Sequence, residues 1–321
     1  MTQTPQFKPS QPALDDLKGA VTNPSKWLTS ALSVEREEGW VESNGAKIHY
    51  FKWGDPTKPG ILMLHGFLAH ARCFAFIAPF LAADYHVVAY DLSGMGDSDS
   101  RDDYPDDLRI AEALDVAEHT GLFKNDAKPT LVAHSYGGMV GLETINVHAD
   151  KFSGLVICDL MVIRPQILRE HSDKFQRPGN QDRDKPNRIY PDYESAKNRF
   201  VLAPPQAVEQ PELMDFMAYH SLKQVDGGWQ WKFSPSVFPR VEGIEQRWSE
   251  IGERIVATPG RTAIIYGLES MLFTPDSANY IREIGGHDIP IIDIPHARHH
   301  LMLDQPIAFI TAIKSVLELW K

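Results

Sequence analysis

The sequence predicts an α/β protein, a mostly parallel doubly wound sheet interrupted by an inserted, mainly helical segment. Three observations carry that expectation. Short apolar runs bounded by turn residues alternate with helical stretches, first over residues 59–159 and again over 261–320. The runs are continuous, as in 61–64 and 87–90, which suits strands buried on both faces of a parallel sheet. Residues able to do chemistry follow these runs at once: His65, Asp91, Ser135, Asp159 and His299. In open sheets of this class, ligands bind at the carboxyl ends of the strands.

Residues 1–36 are polar and proline-containing, and read as an N-terminal extension that packs outside or frays. Residues 39–53 read as a hairpin turning at Asn44-Gly45. The run ending at Leu64 leads into His65-Gly66-Phe67, followed by one helix over 69–83 with Phe74, Ile77, Phe80 and Leu81 on a common face. Residues 85–90 form the next strand. An Asp91–Ser98 loop and an amphipathic helix over 106–122 follow. A strand over 131–133 then meets Ser135, with a helix from Tyr136, and 154–159 is another strand. From 161 to 255 prolines cluster, at Pro165, Pro178, Pro186, Pro191, Pro204 and Pro205, and the alternation stops. It resumes with strands at 261–267 and 289–294, a helix within 274–284, and a closing helix over 304–320. The expected domains are therefore an extension (1–36), a core (37–160 and 256–321) and an inserted lid (161–255).

Composition excludes several roles. The formal net charge of −11 argues against nucleic-acid binding. No apolar run approaches the length of a membrane span, and the first twenty residues lack the apolar core of a secretory signal. A cytoplasmic protein without a membrane span is expected, with its oligomeric state open. Cys73 and Cys158 have no metal or redox spacing and are expected to be buried thiols.

Ser135 is the centre of the chemical reading. It stands between Ala133 and Gly137, two residues away on either side, on a sharp strand-to-helix turn where only small neighbours let the two backbones approach. This is the pattern of a nucleophile elbow; the alternative is a serine that only caps the next helix. The serine hydroxyl needs a base. His299, in the short loop before the closing helix, is the candidate, with His300 its nearest competitor. His296, His299 and His300 also invite a metal reading, but no further cluster completes a site. No metal or cofactor is expected. His65 and His134 are read as structural hydrogen-bonding groups.

With these residues in view, the chain resembles the α/β-hydrolase family. The resemblance rests on His65-Gly66-Phe67, Asp91 to Ser98, Ala133-His134-Ser135-Tyr136-Gly137-Gly138, and Arg298 to Pro306. It covers roughly residues 38–159 and 260–320. It implies Ser135 as nucleophile, His299 as general base, and an oxyanion hole from the backbone N–H groups of Phe67 and Tyr136. Ala133 and Arg298 stand where the family commonly has glycine. The family usually places the triad acid three residues after the glycine ending the penultimate strand, and here Ser270 fills that slot. Two carboxylates can replace it: Asp159, as in members resembling haloalkane dehalogenases, or Glu269, beside the empty slot. Asp159 is favoured; Asp276 is a further possibility.

Serine at the elbow separates the chain from branches that use aspartate there, the dehalogenases and epoxide hydrolases. The resemblance thus implies a carboxylesterase-like serine hydrolase acting on a small molecule with an apolar acyl or aryl group. Cofactor-independent dioxygenases and carbon–carbon bond hydrolases are the alternatives, and a non-enzymatic binding protein is the last. Lid aromatics such as Phe200, Trp231, Phe233 and Phe238 either face the pocket or form the lid's own core. Arg164 and Lys232 are possible contacts for an anionic group.

Overall fold

The computed structural model describes residues 8–124, 126–170, 183, 185–238 and 244–321. Nine of its strands form one sheet. They are β1 (Lys8–Pro12), β2 (Glu35–Ser43), β3 (Ala46–Trp53), β4 (Gly60–Leu64), β5 (His86–Tyr90), β6 (Thr130–His134), β7 (Gly154–Cys158), β10 (Arg261–Gly267) and β11 (Ile291–Ile294). A separate hairpin joins β8 (Leu222–Val225) to β9 (Gly228–Trp231). The large sheet runs β1-β2-β3-β5-β4-β6-β7-β10-β11. Pairing is antiparallel from β1 to the β3–β5 contact and parallel from β5 onward.

The pattern of burial follows from the strand composition. Every residue of β4, β5, β6 and β7 is buried. Successive side chains point to opposite faces. Ile61, Met63, Val132 and Val156 therefore enter one apolar layer, and Leu62, Leu64, Leu131 and Leu155 the other. Helix Pro306–Leu319 covers the first layer, and helices Asp106–Thr120 and Tyr136–His148 the second.

The strand order reverses beside β4. The chain moves from β4 to β5 on one side and then returns to β6 on the other. Such a switch point opens a crevice at the carboxyl ends of the flanking strands. Phe67 follows β4 and Ser135 follows β6, so both stand at that crevice.

Several elements differ from the sequence expectation. The N-terminal extension does not fray over the described residues. Lys8–Pro12 pairs with β2 as an edge strand, and Leu28 and Leu32 are buried from helix Lys26–Leu32. The helix expected over 69–83 is two short pieces, a 3₁₀ turn at Ala71–Phe74 and a helix at Ala78–Leu81. Pro79 lacks the N–H that a continuous helix would need, and its ring obstructs the carbonyl four residues earlier. The closing helix expected over 304–320 is Pro306–Leu319, with Pro306 in its first turn, and a separate short helix, Leu301–Asp304, precedes it.

The chain leaves the sheet between β7 and β10, as the proline cluster suggested, although Pro178 lies outside the described residues. That segment carries helices Pro165–Glu170, Tyr193–Lys197, Pro211–His220 and Ile244–Val256. It also carries the β8–β9 hairpin, so it is not wholly helical. Asp226 and Gly227 make that tight turn, with Gly227 at positive φ. No helix among the described residues is long and apolar enough to cross a membrane. Cys73 and Cys158 are buried free thiols.

Candidate active site

Ser135 occupies a backbone conformation of φ 52° and ψ −120°, which costs energy for any side chain with a Cβ. The strain is held by its surroundings. Ser135 N–H donates to Cys158 O at 2.9 Å, and Gly138 N–H donates to Ser135 O at 2.7 Å. A Cβ on Gly137 would stand 2.5 Å from Leu64 O, so the elbow helix can lie this close to β4 only with glycine there. The Ser135 side chain makes no cap bond to its helix. Among the described residues, four of the five non-glycine residues at positive φ are Leu68, Ser135, Asp159 and His296. All four follow strands at this end of the sheet, while the fifth, Asn44, makes the hairpin turn.

The β6–β7 register pairs His134 with Cys158, which sets Ser135 and Asp159 side by side one residue further on. Asp159 is fully buried. Its Oδ1 lies 2.8 Å from His299 Nδ1 and also accepts from Ser270 Oγ at 2.6 Å. Its Oδ2 accepts from Gly267 N–H at 2.9 Å. Ser270 Oγ in turn accepts from Leu272 N–H at 3.1 Å, which leaves the hydroxyl proton directed at the carboxylate. Ser270, the slot that lacks an acid, is therefore a donor to the acid one strand away. Sequence reasoning did not assign it this contact, which depends on β10 lying beside β7.

Glu269 is placed differently. Its carboxylate faces Arg298 at 3.3 Å and His296 at 3.5 Å near the surface. Asp276 pairs with Arg164 on an outer face. Arg164 also binds Glu283, so it is not available to an anionic ligand as the sequence suggested.

His299 is 2% exposed, and its Nε2 has no hydrogen-bond partner among the described residues. Burial lowers its pKa to about 3, so the ring is neutral at physiological pH. With Nδ1–H donated to Asp159, Nε2 carries the free lone pair. Its loop is pinned at several points. His134 Nε2–H donates to His299 O at 2.8 Å. Arg298 N–H donates to Asp304 Oδ2 at 2.7 Å, and Gln206 from the inserted segment reaches the same oxygen at 3.0 Å. His300 turns toward the insertion instead: its N–H donates to Gln206 Oε1 at 3.0 Å, and its ring nitrogen lies 3.4 Å from Pro204 O.

Burial raises the Asp159 pKa to about 7, against the hydrogen bonds from Ser270 and Gly267, which favour its ionised form. The carboxylate is thus poised between protonation states near neutrality.

The Phe67 and Tyr136 N–H groups have no acceptor among the described residues. His65 fixes the loop carrying Phe67. Its Nε2 accepts from Leu92 N–H at 3.0 Å, which leaves Nδ1–H to donate to Gly66 O at 2.7 Å. The Asp91–Ser98 loop is likewise structural: Asp91 accepts from Ala71 N–H and Asp97 N–H and lies 2.7 Å from His49 Nδ1.

A cavity of about 730 Å³ opens over Ser135. Its walls are mostly apolar, with Phe67, Tyr136, Met139 and Leu160 from the core and Val201, Leu202, Phe238 and Trp248 from the insertion. Of the aromatics singled out in the sequence, Phe238 reaches this cavity, and Phe200, Trp231 and Phe233 line a smaller one beside it. Tyr190, Tyr193 and Trp229 pack within the insertion.

Among the described residues, one group has the spacing to hold a metal ion: His49, Asp91 and Asp97. Its atoms are already committed. His49 bridges Asp91 and Glu38, and Asp97 binds Arg72 at 2.6 Å and Lys232 at 2.7 Å. Cations of the protein fill the place an ion would take.

A family model described as the alpha/beta hydrolase family matches residues 61–312. Among curated proteins, epoxide hydrolase 4 of Mus musculus is 28% identical over 142 residues, covering 42% of this chain and 38% of its own length. A fluoroacetate dehalogenase of a Burkholderia species is 30% identical over 119 residues, covering 36% and 38%. The matched region spans well under half of these relatives. Among solved structures, the thioesterase domain from the curacin biosynthetic pathway superposes with a TM-score of 0.68 at 23% identity, covering 87% of this chain and 99% of that one. An esterase of Mycobacterium tuberculosis gives 0.66 at 19%, covering 95% and 96%. At such identities the structural likeness carries the fold alone.

Proposed function

Since the chain belongs to the alpha/beta hydrolase family, we propose that it is a serine hydrolase, cleaving a carboxylic ester or related acyl bond through an acyl-enzyme on Ser135. One observation carries the reading. His299 is held through Nδ1 by Asp159, while its other nitrogen is buried and unpartnered in the layer of strand ends that presents Ser135.

In this mechanism His299 Nε2 takes the Ser135 proton as Oγ attacks the carbonyl carbon. The imidazolium so formed is stabilised by the Asp159 carboxylate, and Ser270 and Gly267 help keep that carboxylate ionised. The oxygen that gains charge is received by the Phe67 and Tyr136 N–H groups, each such donor being worth on the order of 100-fold or more in rate. His299 then returns the proton to the leaving alkoxide or thiolate, whose bond to carbon breaks. In the second half a water molecule, deprotonated by His299, releases the acid and restores Ser135.

The apolar walls of the cavity favour a bulky aliphatic or aryl acyl group. The inserted segment acts as a cap that excludes water, and it is tied to the base loop through Gln206. The relatives named epoxide hydrolase and dehalogenase share the family, but serine at the elbow favours an acyl-enzyme over the carboxylate-linked intermediate of aspartate branches.

The test is labelling by a serine-reactive fluorophosphonate, read by intact mass. One adduct is expected on the native protein and none on Ser135→Ala, with parallel loss of p-nitrophenyl ester cleavage. A native protein that takes no label and cleaves no such ester overturns the acyl-enzyme reading and favours His299 acting as a base alone.

A further inference from the structure

The smaller cavity, about 220 Å³, adjoins the one over Ser135, and the two share Leu68 and Val201 as common walls. Leu68 directly follows Phe67, so a chain lying over the elbow meets the side cavity just beyond the proposed oxyanion loop. The two cavities differ in chemistry. In the larger one the charged wall residues pair with each other, Arg183 with Asp103 and Arg247 with Asp106, whereas the smaller carries Arg199, Lys232 and His70 among the aromatic rings of Phe200, Trp231 and Phe233.

The charges here do not all cancel. Lys232 binds Asp97, which also binds Arg72, and Arg72 faces Asp16 and Glu38. Arg36 answers Asp16, and His49 lies between Asp91 and Glu38. Within that network each of Asp16, Glu38, Asp91 and Asp97 faces an arginine, a lysine or the His49 ring. Arg199 lies outside it and has no acidic partner among the described residues. His70 is 2% exposed; its Nε2 lies 3.5 Å from Met217 O, and its Nδ1 has no hydrogen-bond partner among the described residues. Arg199 itself is exposed, so a charge pair formed there is partly screened by solvent.

We propose that the side cavity receives a carboxylate at one end of an amphiphilic substrate whose apolar body fills the chamber over Ser135. This rests on the hydrolase reading and narrows it to acyl substrates carrying a terminal carboxylate. The fork of the Arg199 guanidinium suits a carboxylate.

The experiment measures binding, so it does not depend on turnover. Ser135→Ala protein is titrated calorimetrically with linear dicarboxylates from hexanedioate to tetradecanedioate and with monocarboxylates of equal length. At some length the dicarboxylate is expected to bind about three- to tenfold tighter, the range of a partly exposed charge pair. The advantage should vanish in Ser135→Ala/Arg199→Ala, return in part with Arg199→Lys, and reverse with Arg199→Glu. The proposal is overturned by equal affinities at every length, by an advantage that survives Arg199→Ala, or by no binding of either series. Failure of the serine-hydrolase reading shows separately, as absence of the fluorophosphonate adduct on the native protein.

Discussion

At Asp159, burial and hydrogen bonding oppose each other. Burial favours the neutral acid, whereas the Ser270 hydroxyl and the Gly267 amide favour the carboxylate, and the balance falls at about 7. Only the carboxylate can orient His299 by accepting Nδ1–H. A carboxyl group with a raised pKa loses its charge as pH falls through that value, so kcat/KM should decline below about pH 7. His299 does not set this limb, because burial holds its own pKa near 3. Ser270→Ala removes a donor to the charged form, so the acidic limb should move to higher pH, while Ser270→Thr, which keeps the hydroxyl, should restore it. An unshifted limb in a folded Ser270→Ala protein would show that Ser270 only fills space. Asp159→Asn should reduce kcat/KM by on the order of 10³–10⁴-fold. Glu269→Gln should be nearly silent, since that carboxylate is engaged with Arg298 and His296. The reverse ranking in steady-state kinetics would move the acid to Glu269.

Among the elements, the elbow was the most legible from sequence and the cap the least. A serine flanked by Ala133 and Gly137 between an apolar strand and a helix leaves few backbone solutions, because any larger side chain strikes the neighbouring strand. The contacts of Gly137 make this testable. A Cβ there would meet the carbonyl oxygens of Leu64 and His65 at 2.5 and 2.7 Å. These are backbone atoms that cannot swing aside. Gly137→Ala should therefore destabilise the fold by about 1–3 kcal/mol and lower activity with it. Denaturant unfolding and ester turnover measure the two effects, and a fully stable, active variant would contradict the packing described. The β8–β9 hairpin was not read from the sequence although Asp226-Gly227 is a hairpin turn signal; its four-residue strands bury little on their own and pack against Tyr190 and Tyr193. Proline has a strictly local effect, and the break at Pro79 could likewise have been read directly.

Over the whole molecule, buried histidines govern the response to acid. Burial holds His70, His134 and His299 near 3 and His86 near 4, well below the ordinary 6.5. The unfolded chain binds protons at these rings that the folded chain refuses, so stability should fall as pH drops through about 6.5. A second loss follows below about 3.8, where Asp16 and Asp97 begin to take up protons in the unfolded chain. Both are held low in the fold by opposing cations despite the penalty of burial. Thermal midpoints measured from pH 8 to 4 should therefore decline before any carboxylate with an ordinary pKa titrates. A flat profile down to pH 5 would show that these rings accept protons in the folded state.

By itself the sequence determined the alternation of strands and helices, the strained serine turn, and the histidine loop before the last helix. These depend on periodicity, small residues and chain order, all of which are local. The contacts that surround Asp159 form only in three dimensions. Ser270, Asp159 and His299 are separated by more than a hundred residues of chain on one side, and they meet because β7 pairs with β10 in one register. The same holds for the two cavities, whose walls join loops after β4 and β6 to a segment inserted after β7. Such long-range pairing carries no periodic signal, so the Ser270 contact and the cavity walls could not be read along the chain, and Asp159 came forward there only through the family resemblance.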